Sequence, residues 1–173
     1  MTDLRQPVAL DQITKNDIYA DLVQIGIEKG YTVIPEFRVT LPNRDGTKNL
    51  DLVWVTRKPR VGRRQDRESL QYWTLHAAFE IDACDVRNIE GKEFNRHIRD
   101  LPTIQNADAS DPISHFVVLY TAAYDRAWNN DRKTVDDEIA ERRGWAHGSG
   151  VQVLDGRDLS AVHAIRPAVR LPT

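Results

Sequence analysis

The stretch Ala77-Ala78-Phe79-Glu80-Ile81-Asp82-Ala83 combines an apolar run, typical of a buried strand, with two carboxylates. Side chains alternate along a strand with a period of two, so Glu80 and Asp82 are predicted to leave the same face. Burying such charges is costly unless a partner compensates them, and a divalent cation does this well. A third carboxylate, Asp51, lies in the apolar run Leu50-Asp51-Leu52-Val53-Trp54-Val55. The sequence therefore predicts a magnesium site on a sheet, with Asp51, Glu80 and Asp82 as metal ligands.

The composition predicts one folded domain without a membrane segment. The chain has 173 residues, of which 40% are hydrophobic and 29% charged, and these values are typical of folded globular proteins. No apolar run reaches membrane-spanning length, and the N-terminus lacks the apolar core of a signal peptide. The single cysteine, Cys84, cannot form a disulfide within the chain, which favours a cytoplasmic location. The net charge of −2 leaves any attraction to nucleic acid to local surfaces.

Hydrophobic periodicity divides the chain into the order α-β-β-β-α-β-α-β, followed by a last helical turn. Helices are predicted at residues 14–30, 89–101, 133–143 and 158–165. Strands are predicted at residues 31–41, 49–56, 71–83, 114–121 and 151–154. The first three strands are close enough in sequence for an antiparallel meander, from which the next helix crosses to a parallel strand. We therefore predict an α/β fold with a mixed sheet of about five strands and helices on both faces.

Strand pairing can bring two of the carboxylates together. If the second and third strands form a hairpin, a symmetric loop sets Asp51 opposite His76 or Ala77. A shift of the loop centre by one or two residues sets Asp51 opposite Glu80 instead. Neighbouring strands lie about 4.8 Å apart, so these two carboxylates can then share one cation. The alternative is that acidic residues at the strand ends are simply solvated.

The same geometry excludes Glu36 from the predicted site. A hairpin around the turn Asp45-Gly46 sets Glu36 near Trp54, about 10 Å along the sheet from Asp51. We therefore assign Glu36 no role.

Two short motifs in this order resemble those of the PD-(D/E)XK nuclease superfamily, which has the restriction-endonuclease-like fold. Leu50-Asp51-Leu52-Val53 is similar to the element in which an Asp begins the second strand. Phe79-Glu80-Ile81-Asp82 is similar to the Glu-x-Lys element that ends the third strand. The resemblance covers residues 15–121 and implies an αβββαβ core in a single domain of residues 1–173, with residues 122–173 as a C-terminal extension. It implies a nuclease that hydrolyses DNA phosphodiester bonds with Mg²⁺, for which Mn²⁺ can substitute.

The lysine of the superfamily motif is missing, because Asp82 stands in its position. That lysine is thought to position the attacking water and to offset charge on the phosphate. One interpretation makes Asp82 a further metal ligand, and a second brings Lys92 into the site from the following helix. In a third, the site is inactive and the fold serves as a nucleic-acid-binding or protein-interaction module. The predicted catalytic set is therefore Asp51, Glu80, Asp82 and Lys92.

Two basic segments are candidates for contacting phosphates. The loop of residues 57–67 contains six cations and one acid, and it either contacts the DNA backbone or is simply solvated. Lys92, Arg96 and Arg99 form a second basic stripe at helical spacing, nearer in sequence to the predicted site. DNA is therefore the predicted partner, and the sequence leaves a homodimer open.

Overall fold

The computed structural model describes residues 12–42, 46–58, 72–84, 92–108, 110–122 and 133–169. In chain order, these residues form α1 (Lys15–Glu28), β1 (Thr32–Thr40), β2 (Thr47–Arg57), β3 (Trp73–Ala83), α2 (Lys92–Asp100), a 3₁₀ turn (Leu101–Thr103), β4 (Ser114–Tyr120), α3 (Val135–Ala146), β5 (Val151–Asp155) and α4 (Ser160–His163). This order confirms the predicted succession of helices and strands.

The five strands form one mixed sheet in the order β1-β2-β3-β4-β5. The first three strands form an antiparallel meander, and β3, β4 and β5 run parallel. Helices α1 and α4 contribute to the core on one face, and α2 and α3 contribute to the core on the other. The prediction of an α/β fold with a mixed five-stranded sheet between helices is confirmed.

Helix α1 begins where its sequence predicts. The hydroxyl of Thr14 accepts a hydrogen bond from the backbone N–H of Asp17, and the Asp17 carboxylate accepts one from the backbone N–H of Thr14. This reciprocal capping satisfies backbone donors that the first helical turn leaves without partners. Gly30 follows the helix with a φ of +84°, a conformation that glycine adopts without the steric cost of a Cβ atom.

The register of the first hairpin differs from the predicted one. Pro35 lies opposite Leu52 and Phe37 lies opposite Leu50, so Glu36 is level with Asp51. The prediction that Glu36 lies near Trp54 is therefore wrong, because the two strands pair three residues away from the register assumed for a turn at Asp45-Gly46.

Helix α3 is also displaced from its predicted bounds. It runs over Val135–Ala146 rather than residues 133–143, and so it includes Gly144. A Cβ atom added at Gly144 would meet no atom within 4 Å, so this glycine lies on an open helix surface and no packing constraint ends the helix there.

Several predicted segments lie wholly or partly outside the described residues: residues 59–67 of the basic loop, Asp45 of the first turn, Gln71 of the third strand and residues 89–91 of the second helix. Among the helices that the structure describes, none has the length and apolar character needed to cross a membrane.

Cys84 follows β3 directly and is fully buried. Burial raises the pKa of its thiol to about 12, and the thiolate is the reactive form of cysteine. At about pH 8 we expect this thiol to react with a disulfide reagent roughly 1,000-fold more slowly than a free cysteine, from the pKa alone. The reaction rate is measured by the colour released from Ellman's reagent, for the folded protein and for the protein unfolded in guanidinium chloride. Rapid release of one equivalent from the folded protein would contradict the buried position.

Candidate functional site

Asp51 and Glu80 lie level with each other on the two strands where β2 and β3 stop pairing. The last paired residues of this part of the ladder are Leu52 and Phe79, so the next residues along the two strands are Asp51 and Glu80. The Asp51 Oδ2 atom accepts a hydrogen bond of 2.7 Å from the backbone N–H of Ile81. The Asp51 carboxylate thus satisfies a backbone donor of β3 at the point where the ladder ends.

The alternation of side chains along β2 breaks at this junction. Leu50 and Leu52 should share a face of a regular strand, yet they pack into the two opposite cores. Glu36, level with Asp51 on β1, has a φ of +49°, a left-handed conformation that is uncommon for a residue with a side chain. The neighbouring strands β1 and β2 are therefore both irregular at the level of Asp51.

Glu80 is buried against α2, with 4% of its surface exposed. Its Oε1 atom lies 2.9 Å from Lys48 Nζ and 3.6 Å from His97 Nδ1. Burial raises the pKa of Glu80, but the neighbouring His97 ring and the Lys48 ammonium group outweigh it and hold the pKa below its ordinary value. Glu80 is therefore a buried carboxylate whose charge is compensated within the protein.

Lys48 and His97 also contact each other. The Lys48 Nζ atom lies 3.0 Å from His97 Nδ1. A lysine ammonium group has donors and no acceptor, so Nδ1 accepts this hydrogen bond and the ring proton lies on Nε2. Lys48, His97 and Glu80 form a compact group, which we call the Glu80 cluster.

Asp51 is compensated by a different lysine. Lys15, the first residue of α1, lies 2.9 Å from Asp51 Oδ1, and the Asp51 side chain is 18% exposed. Burial lowers the pKa of Lys15, but the hydrogen bond to Asp51 and the charges of Asp51 and Glu80 outweigh it and raise the pKa. The charge of Glu80 therefore acts on Lys15 as well, which places both carboxylates in one electrostatic environment.

Asp82 lies on the same face as Glu80 but further along β3, about 6.6 Å away at 3.3 Å per residue. It is 7% exposed, and its Oδ1 atom accepts a hydrogen bond of 2.8 Å from the Ala83 backbone. Burial raises the pKa of Asp82, although the hydrogen bond from the Ala83 backbone and the charge of Arg142 oppose this. Asp82 therefore faces the packing between α2 and α3.

Arg142 of α3 forms the centre of that packing. It is paired with Glu138 at 2.9 Å, and its guanidinium group lies over the rings of Phe94, at 5.1 Å, and Trp145, at 4.7 Å.

The three basic residues of α2 that the sequence places in one stripe have different surroundings in the structure. Lys92 is exposed at the first residue of the helix, and Arg99 pairs with Asp100 at 3.1 Å. Arg96 lies 3.4 Å from Glu93 and lines the cleft beside Glu80. Glu80 is instead paired with Lys48, which comes from β2.

A cleft of about 450 Å³ separates the start of β2 from α2, and Glu80 lies at its wall. Its polar lining includes Thr47, Lys48, Asn49, Arg96 and His97. A second cleft, of about 540 Å³, shares Thr47 and Asn49 with the first and is otherwise lined by Glu36 and Arg38. The two clefts therefore adjoin at Thr47 and Asn49.

The donor chemistry of Asp51 and Glu80 suits a hard cation such as Mg²⁺, which commonly binds one or two carboxylates together with substrate phosphates and water. Over the part of the chain that the structure describes, no group of three or more His, Cys, Asp or Glu side chains is arranged to hold a metal ion. The residues therefore fit a site of two carboxylates. In the structure, a lysine ammonium group lies against each of them.

Lys15, Lys48 and His97 were not among the residues predicted from sequence. His97 shares the buried side of α2 with Phe94 and Ile98, so a polar residue on an apolar helix face was the available signal. Lys48 precedes Asp51 by three residues in β2, but its contact with Glu80 depends on where β2 and β3 separate.

Comparison of the chain with protein-family models, with curated proteins and with solved structures gave no significant match.

Proposed function

We propose that this protein is a metal-dependent nuclease that hydrolyses DNA phosphodiester bonds, with a restriction-endonuclease-like core. The observation that carries the proposal is that Asp51 and Glu80 lie level with each other where the pairing of β2 and β3 ends. The order of α1, the β1–β3 meander, α2 and β4 is the order that the resemblance implies. The C-terminal elements α3, β5 and α4 lie outside this resemblance.

Asp51 and Glu80 would hold Mg²⁺, and Mn²⁺ could substitute. The bound ion would polarise the phosphate and lower the pKa of a water molecule. The buried position of Glu80 would limit competing solvent, and charges act more strongly in such a place than in water. Arg96, at the mouth of the cleft, would contact a phosphate of the backbone without reading the base sequence.

A cleavage assay tests this proposal. Supercoiled, linear, nicked, branched and single-stranded DNA are incubated with Mg²⁺ or Mn²⁺, and with a chelator as the blank. We expect cleavage by the wild type and a loss of about 100-fold or more in Asp51→Asn and Glu80→Gln, since each substitution removes a charge used in the transition state. Asp21→Asn is the matched control, because Asp21 lies on α1 by a different cleft and should leave cleavage unchanged.

The outcomes separate the roles of the carboxylates. Cleavage by Glu80→Gln at the wild-type rate would remove Glu80 from the mechanism. Equal loss in Asp21→Asn would indicate that the substitutions act through folding, which circular dichroism of the same preparations checks independently.

The second candidate function is a non-catalytic module that binds nucleic acid or protein. It is favoured by the observation that Lys15 and Lys48 already compensate Asp51 and Glu80, and by Asp82 in the position of the motif lysine. Binding of labelled DNA without cleavage of any form, in either metal, would support this function over the first.

A further inference from the structure

We infer that Lys48 supplies the positive charge that Asp82 cannot provide, and that His97 positions the Lys48 ammonium group against Glu80. This inference rests on the proposed hydrolytic function. It assigns the missing lysine of the site to β2, three residues before Asp51, rather than to β3 or α2.

Burial and distance both favour Lys48. Its Nζ atom lies 2.9 Å from Glu80 Oε1, and its side chain is 11% exposed. A charge shielded from water in this way acts strongly on its neighbours. Lys48 also lines the cleft beside Glu80, so a phosphate entering that cleft would lie near the ammonium group.

The other cations near the site are placed less favourably. Lys15 has a side chain that is 47% exposed and lies against Asp51. Arg96 has a side chain that is 50% exposed and lies near Glu93. Lys92 is exposed at the start of α2. Lys48 therefore combines a buried charge with direct contact to the central carboxylate of the cleft.

The role of Lys48 is electrostatic, and the atoms of the reaction balance without it. The water oxygen forms a bond to phosphorus as the bond from phosphorus to the leaving sugar oxygen breaks. The water loses one proton and the leaving oxygen gains one. Lys48 stays protonated throughout and stabilises the negative charge that builds up on the phosphate oxygens.

His97 acts through Lys48, so it is a positioning residue. Its Nδ1 atom accepts the hydrogen bond from Lys48 at 3.0 Å and thereby fixes one of the ammonium donors. His97 is held on the buried face of α2 with Phe94 and Ile98. The ring can therefore orient the Lys48 side chain without reaching the substrate.

The first test compares hydrolysis with metal binding in Lys48→Gln. Removing the ammonium group should slow cleavage by about 100-fold. It should also tighten Mn²⁺ binding, measured without DNA by isothermal titration calorimetry, because the positive charge of the ammonium group beside Glu80 repels the ion. Slower cleavage together with tighter Mn²⁺ binding distinguishes this role from simple structural damage, which would lower both the cleavage rate and the affinity for Mn²⁺. Arg38→Gln, which removes a cation from the adjoining cleft, should change neither by more than about twofold.

The second test addresses His97. An asparagine amide oxygen can accept a hydrogen bond much as Nδ1 does, whereas leucine cannot. We expect His97→Asn to retain most of kcat, and His97→Leu to lose about 10-fold in kcat with little change in KM. Equal kcat values in the two variants would overturn the positioning role.

Failure of the inference and failure of the proposed function can be told apart. Cleavage by the wild type and by Lys48→Gln at equal rates would overturn the inference and leave the nuclease proposal intact. Absence of cleavage by the wild type on every DNA form would overturn both. If Lys48→Gln does not fold, Lys48→Arg retains the ion pair but not the compact ammonium group, and we expect a loss of about 10-fold. An unchanged rate in that variant would overturn the inference.

Discussion

Replacing Gly26 by alanine should destabilise the folded protein by about 2–4 kcal/mol, the sum expected from overpacking a core and straining a buried hydrogen bond. Gly26 lies within α1 where the helix crosses the sheet. A Cβ atom there would lie 2.5 Å from Trp54 Nε1 and 2.7 Å from Val33 Cγ2, and real side chains do not approach so closely.

Trp54 cannot move aside easily. It is fully buried, and its Nε1 atom donates a hydrogen bond of 3.1 Å to the backbone oxygen of Leu22. Its ring lies 5.5 Å from that of Tyr31 and 5.1 Å from that of Phe79. The added methyl group must therefore push α1 away from the sheet, which also displaces Lys15 at the start of the helix.

Denaturant unfolding measures this effect, and α3 provides a matched control. Gly144→Ala introduces the same methyl group into a helix, but with no atom within 4 Å. That substitution should leave stability unchanged or raise it by about 0.5–1 kcal/mol through helix propensity. Equal free energies of unfolding for the two variants would contradict the close packing of α1 on Trp54.

Replacing Glu80 by leucine should cost about 3–5 kcal/mol, because it leaves Lys48 buried without its counter-ion. The Lys48 side chain is 11% exposed and lies beside His97, so water can solvate the isolated charge only if the local structure opens. The same reasoning predicts that Lys48→Met alone is destabilising, because the buried Glu80 then loses the ammonium group 2.9 Å from its Oε1 atom.

The double variant Glu80→Leu with Lys48→Met removes both charges together. We expect it to regain most of the stability lost in either single variant, since an apolar pair often replaces a buried ion pair at little cost. The exposed pair of Glu93 and Arg96, with side chains 59% and 50% exposed, is the control and should contribute less than about 1 kcal/mol. Additive losses in the Glu80 and Lys48 variants would show that these side chains are not paired in solution.

Local signals in the sequence were sufficient to predict the architecture. The Thr14 and Asp17 cap, the helical spacing of Ile18, Leu22 and Ile25, and the apolar strand around Phe79 each depend on neighbouring residues. The structure bears them out. The sequence allows several registers for β2 and β3, and the pairing of Leu52 with Phe79 selects the one that sets Asp51 level with Glu80.

The partners of the carboxylates could not be predicted in this way. Lys48 and His97 reach Glu80 from different elements, and that contact depends on where the β2–β3 ladder ends and how α2 is rotated. The predicted position of Glu36 was wrong because strand register depends on the geometry of the turn. A shift of a few residues changes every cross-strand neighbour. Leu50 and Leu52 lie on opposite faces of the sheet, but the hydrophobic pattern of the sequence is that of a regular strand at this point and gives no sign of the break.

A crystal structure of the protein with Mn²⁺, with anomalous scattering used to locate the ion, tests directly whether Asp51 and Glu80 share a metal. We expect an anomalous peak within about 2.0–2.3 Å of oxygen atoms of both Asp51 and Glu80, and no such peak in crystals of Glu80→Gln. Density at saturating Mn²⁺ that shows Lys15 and Lys48 still bound to these carboxylates, with no ion between them, would contradict it.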